Sequence, residues 1–80
     1  MLFRSLCLAQ IMIREGEKEA MSVIKAMKQT LEQSGAVIDY IAIVDYDTLK
    51  PVSIMDGKVL IAIAVFISKT RLIDNVIIEP

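Results

Sequence analysis

The sequence predicts an α+β domain, two helices packed on a three-stranded, mostly antiparallel sheet. Three observations carry that expectation. Apolar residues recur every three or four positions over the first 33 residues, the period of helices with one buried stripe. Three later stretches, 37–45, 59–67 and 71–78, are rich in β-branched residues and fit the two-residue period of strands. Gly16, Ser34-Gly35, Pro51 and Asp56-Gly57 punctuate the chain between them.

Residues 2–15 read as the first helix. Leu2, Leu6, Ala9 and Ile13 form its apolar stripe, flanked by Phe3, Cys7 and Met12, with Arg4, Gln10, Arg14 and Glu15 on the wet side. No capping residue precedes Leu2, so the helix is expected to continue from upstream sequence. Gly16 ends it as a C-cap glycine. The second helix is expected over Glu17–Gln33, with Ala20, Val23, Ile24, Met27 and Leu31 buried and Glu17 and Glu19 in the first turn, where the helix dipole favours acids. A connection as short as Gly16 predicts an antiparallel or angled hairpin.

The first strand is Val37–Asp45. Strict alternation puts Asp39, Ile41, Ile43 and Asp45 on one face and Ile38, Tyr40, Ala42 and Val44 on the other. Residues 46–51 form a turn, 52–55 an extended segment able to pair briefly, and Asp56-Gly57 a tight-turn signal. Val59–Ile67 is nine apolar residues in a row, too short for a membrane helix and suited to a fully buried strand. One of its faces shows Val59, Ile61, Ile63, Val65 and Ile67, the other Leu60, Ala62, Ala64 and Phe66. A short Ser68-Lys69-Thr70 link joins it to the third strand, Arg71–Ile78, as an antiparallel hairpin.

Eighty residues make one domain, 1–80, with no internal repeat or linker. A chain of this size buries about 60–65% of its unfolded surface. Yet 55% of the residues are apolar and the mean hydropathy is +0.57. Two helices cover one face of a three-stranded sheet, while the central strand is apolar on both. This excess predicts a missing partner, either another domain of the same polypeptide or a second subunit, with self-association as one form it could take. Nine basic and ten acidic residues leave a net charge of −1 without charged runs, which argues against nucleic acid or an anionic membrane as partner.

The chain has no histidine, which excludes histidine-based triads and the commonest metal ligand within it. Its single cysteine excludes an intrachain disulfide and fits a cytoplasmic setting. Cys7 has no neighbouring cation or helix N-terminus to make it a nucleophile and reads as structural. Asp39, Asp45, Asp47 and Asp74 are candidates for acid–base work or a hard metal, but match no loop motif. Lys69-Thr70-Arg71 is a candidate phosphate contact that lacks a glycine-rich frame. Arg71 and Asp74, three apart on a strand, face opposite sides, so Arg71 is expected to meet an aspartate on a neighbouring strand. Met12, Met21, Met27 and Met55 read as core or domain-interface filler rather than an adaptable binding surface.

Taken in order, Leu6-Cys7, Gly16-Glu17, Asp39-Tyr40, Val44-Asp45, Thr48-Leu49, Ala64-Val65 and Lys69-Thr70-Arg71-Leu72-Ile73-Asp74-Asn75 form a series that resembles the C-terminal domain of the pantothenate synthetase (pantoate–β-alanine ligase) family. The resemblance runs over essentially the whole chain. It implies an ATP- and Mg²⁺-dependent ligase that joins pantoate to β-alanine through a pantoyl-adenylate. It also implies a Rossmann-like N-terminal domain with a HIGH-like motif and the substrate sites, a KMSKS-like loop at the domain junction, and a C-terminal domain acting as a hinged lid. Neither motif lies in these residues, so no catalytic, cofactor-binding or metal-binding residue is carried over, and the chain alone is expected to be inactive. The expected partner is the absent N-terminal catalytic domain. Ser68 stands where the family usually has glycine; if that position takes positive φ, serine costs on the order of 1 kcal/mol.

Two readings from other classes stand beside this one. The chain could be a stand-alone α/β interaction module that dimerises through its apolar sheet face or edge. It could also be a small enzyme built on its aspartates, which would then bind metal or substrate unaided.

Overall fold

The computed structural model describes residues 2–79, with side chains from residue 4. It contains helix α1 (Leu2–Arg14), helix α2 (Ala20–Gln33) and strands β1 (Val37–Asp45), β2 (Val59–Ile67) and β3 (Thr70–Ile78). The strands form one antiparallel sheet in the order β1-β2-β3, and both helices lie on one of its faces. The expected α+β architecture of two helices on three strands is therefore observed.

Leu6, Ala9 and Ile13 of α1 are buried, as the stripe predicts; the side chains of Leu2 and Phe3 lie outside the described residues. They meet Ala20, Val23 and Met27 of α2 and Ile43, Val59, Ile61, Ile63 and Ile78 of the sheet in the main core. A smaller cluster of Leu31, Ala36 and Val65 closes the other end. The start of α1 lies beside the end of α2, where Arg4 and Leu8 share a shallow groove with Thr30, Gln33 and Ser34, so the hairpin is antiparallel.

Both helices end in the same backbone device. Gly16 N–H donates to Ile13 O and Glu17 N–H to Met12 O; Gly35 N–H donates to Glu32 O and Ala36 N–H to Leu31 O. These are Schellman closures, which require a left-handed residue, and Gly16 and Gly35 take φ of 104° and 85°.

The start of α2 differs from the sequence expectation. Residues 17–19 lie outside the helix, and α2 begins at Ala20 with Glu19, in an extended conformation, as its N-cap. The reason is a partner strand: Glu19 pairs with Ile54, Ala20 N–H donates to Ser53 O at 2.9 Å, and Met55 N–H donates to Lys18 O at 2.8 Å. One of the donors that a helical first turn leaves open, Ala20 N–H, is met by this pairing. The extended segment 52–55 thus pairs as expected: Val52 N–H donates to Ile43 O of β1, and residues 53–55 pair with the helix junction. Asp56-Gly57 forms a bend without positive φ, and the expected tight turn is absent. The fully buried Met55 diverts the segment, because its side chain fills the main core beneath the helices.

Strand β1 corrects a second expectation. Its pairing runs Ile38↔Val65 and then Tyr40↔Ala64, so Asp39 is an extra residue, a β-bulge. The bulge returns Ile38 to the helix side, where it packs against Leu31, Ala36 and Val65. Beyond it the alternation holds, with Ile41 and Ile43 inward and Tyr40, Ala42 and Val44 outward. Strands β2 and β3 pair without interruption from Val59↔Ile78 to Ile67↔Thr70, leaving a two-residue turn of Ser68 and Lys69. Ser68 takes φ of 55° while Lys69 does not take positive φ, the pattern of a type II′ turn, which favours glycine at its first position.

Candidate functional site

The sheet has one face that the helices do not reach. Pairing assigns to it Val37, Tyr40, Ala42 and Val44 of β1, Leu60, Ala62, Ala64 and Phe66 of β2, and Arg71, Ile73, Asn75 and Ile77 of β3. Val37, Tyr40, Phe66, Ile73 and Ile77 are exposed, Ile73 to 64%. Ala42 and Ala62 keep the middle of the face low between larger neighbours. A contiguous apolar face of this kind marks a contact site rather than a solvated surface.

Two charged groups meet on this face. Arg71, paired with Phe66 on β2, reaches across that strand to Asp39 in the bulge of β1. Its Nε donates to Asp39 Oδ2 at 3.1 Å and Nη2 stands 3.0 Å from the same oxygen. The expected partner on a neighbouring strand is corrected: Arg71 meets an aspartate two strands away, because its side chain is long enough to span β2.

The remaining aspartates do not join it. Asp45 ends β1, and its Oδ1 accepts the backbone N–H groups of Thr48 and Asp47, each at 2.9 Å. Those bonds, Thr48's first, hold the Asp45 carboxyl below its ordinary range. The Asp45 side chain therefore fixes the following turn, in which Leu49 takes φ of 60°. Asp47 lies in that turn, and the carboxylate of Asp74 accepts the backbone N–H of Asn75 at 2.8 Å. Asp74 pairs with Ile63 on the helix side of the sheet, opposite to Asp39. Among the described residues no group of three or more His, Cys, Asp or Glu could hold a metal ion. An aspartate-based centre is therefore not assembled here.

Cys7 is half-buried in α1, and Lys69 sits in the β2–β3 turn. Lys58 lies over the ring of Tyr46, 4.4 Å from its centroid, which ties the β1–β2 connection to the start of β2. The groove between the helix ends has a volume of about 570 Å³ but gathers no carboxylate, and its Thr30 and Ser34 hydroxyls donate to the Ala26 and Leu31 carbonyls of their own helix. A second groove of about 440 Å³ beside Met21, Ile24, Val52 and Ile54 is mainly apolar. Of the four methionines read as filler, Met27 and Met55 are fully buried, Met12 is half-buried against the core and Met21 is exposed. Among the described residues no helix is long and apolar enough to cross a membrane.

Sequence reasoning found the uncovered face but missed the polar pair on it as a unit. Strict alternation sent Asp39 to the helix side; the bulge that re-aims it leaves no residue signature beyond an acidic residue placed where the apolar cluster would have to bury it.

The comparisons with known proteins agree with each other. The chain is 48% identical over 79 residues to pantothenate synthetase of Caldicellulosiruptor saccharolyticus and 41% identical over 78 residues to that of Bacillus subtilis. Each match covers 98% of this chain, but the chain spans only 28% and 27% of those relatives. The crystal structure of pantothenate synthetase from Thermus thermophilus superposes with a TM-score of 0.86 at 29% identity, over 99% of this chain and 29% of that one. The family model for pantoate-beta-alanine ligase matches residues 1–77, and the chain therefore belongs to the pantoate-β-alanine ligase family.

Proposed function

We propose that this chain is the C-terminal lid of an ATP-dependent ligase that condenses pantoate with β-alanine to pantothenate through a pantoyl-adenylate. The observation that carries the reading is the uncovered apolar sheet face in a chain that spans 28% of its relative's length. A catalytic N-terminal domain supplied by the rest of the polypeptide would cover that face. The lid's contribution is physical: closing over the cleft excludes water from a reactive acyl-adenylate and holds the substrates in line. ATP and Mg²⁺ fit poorly to these residues, since there is no glycine-rich phosphate loop and, among the described residues, no metal-ligating cluster. Those groups would be held by the rest of the enzyme, in the cytoplasm.

The test is an assay of pantothenate formation from pantoate, β-alanine and ATP. The polypeptide carrying this sequence at its relatives' length is expected to turn over, and the 80-residue chain to give none. Turnover by the 80-residue chain, or its absence from the longer polypeptide, would contradict the reading. A stable homodimer of the 80-residue chain as the only natural product would favour the stand-alone interaction module instead.

A further inference from the structure

We infer that Asp39 and Arg71 form a polar key that fixes how the rest of the polypeptide seats on the outer sheet face; the inference rests on the lid reading above. The first support is the bulge. Alternation alone would turn Asp39 toward the helices, with Ile41 and Ile43, and the extra residue in β1 re-aims its carboxylate onto the outer face. The second is the reach of Arg71, whose side chain crosses the full width of β2 to find that carboxylate.

The third support is what the pair leaves open. Both contacts converge on Asp39 Oδ2. The bond that joins the pair uses Nε and Nη2 of Arg71 and Oδ2 of Asp39, so Asp39 Oδ1 and Arg71 Nη1 are not spent in it. An acceptor and a donor thus remain for a partner. The group they fit offers a donor and an acceptor side by side, as a side-chain carboxamide or a peptide unit does.

Stability does not explain the device. The two side chains are 46% and 40% exposed, and ion pairs between such groups add little to folding, while a bulge gives up regular ladder pairing. The setting does explain it. Apolar neighbours such as Tyr40, Phe66 and Ile73 supply non-directional attraction, which holds a partner without fixing its position. A desolvated charge pair fixes register and rejects misaligned seatings. The occupant is the remainder of this polypeptide, because the chain amounts to only 28% of a relative that it matches along 98% of itself. Asp39 and Arg71 are positioning residues: they act through the seating of the lid.

The experiment uses the full-length polypeptide, with Asp39→Asn, Arg71→Lys and the exchange D39R/R71D, measuring kcat, KM and thermal unfolding for each. The expected result is a fall in kcat of about 10- to 100-fold in all three, the scale of a small misplacement at a distance, with an unchanged melting temperature. Singles that keep kcat within about twofold of wild type would overturn the key. Recovery of wild-type kcat in the exchange would also overturn it, since the two groups would then serve only each other. Melting lowered even in Arg71→Lys, in proportion to lost activity, would make the pair structural and would equally overturn it. A wild-type polypeptide that forms no pantothenate would refute the lid reading, and the key with it.

Discussion

Ser68 holds the β2–β3 turn at φ 55°, a conformation in which a side chain crowds the backbone and glycine does not. The sequence singled out this residue because serine replaces the glycine that the resemblance leads one to expect. The hairpin forms despite it, since nine paired positions on each side outweigh one strained residue. Ser68→Gly removes the side-chain crowding but also loosens the unfolded chain, so the net gain is expected at or below about 1 kcal/mol. Chemical denaturation checks this: a raised midpoint with an unchanged slope is expected, and a lowered midpoint would mean that the serine makes a compensating contact. Asp45 was legible only as the last residue of a strand face and as an acid–base candidate; the structure instead uses its carboxylate for two backbone bonds in the turn that follows. Asp39 was legible as a residue and illegible as a position, because a bulge shifts the register by one without a change in composition.

At the scale of elements, hydrophobic period located all five, and long-range pairing decided where α2 begins. Glu17 and Glu19 suit a first helical turn by charge. They stay outside the helix because Ser53 and Met55 offer backbone bonds to residues 18–20, a partner more than 30 positions away that no local pattern announces. The Gly16 and Gly35 closures, in contrast, are local, and glycine after an amphipathic run was enough to place them. Met55 carries the long-range link. Its side chain is fully buried while Ser53 and Ile54 beside it are exposed, so it pins the β1–β2 connection to the core. Met55→Ala is expected to cost about 2–5 kcal/mol in unfolding experiments and to release residues 46–58 to faster amide exchange than β2. Equal protection of that segment in the variant would show that the backbone pairing with residues 18–20 suffices.

For the whole molecule, the sequence stated an imbalance and the structure located it. An apolar fraction of 55% in 80 residues exceeds what one small core can hide. The surplus is concentrated on the outer sheet face, with Val37, Tyr40, Phe66, Ile73 and Ile77 exposed together. Bulk composition cannot say what covers such a face. The chain spans 28% and 27% of two relatives' lengths, and the lid proposal assigns the face to the rest of one polypeptide. The most direct test is the intact mass of the polypeptide that carries this sequence in its source cell. The lid reading predicts a product several times heavier than the 8.9 kDa of these residues, close to the length of the relatives. A natural product of 8.9 kDa would contradict it and leave a self-contained domain whose apolar face serves another partner.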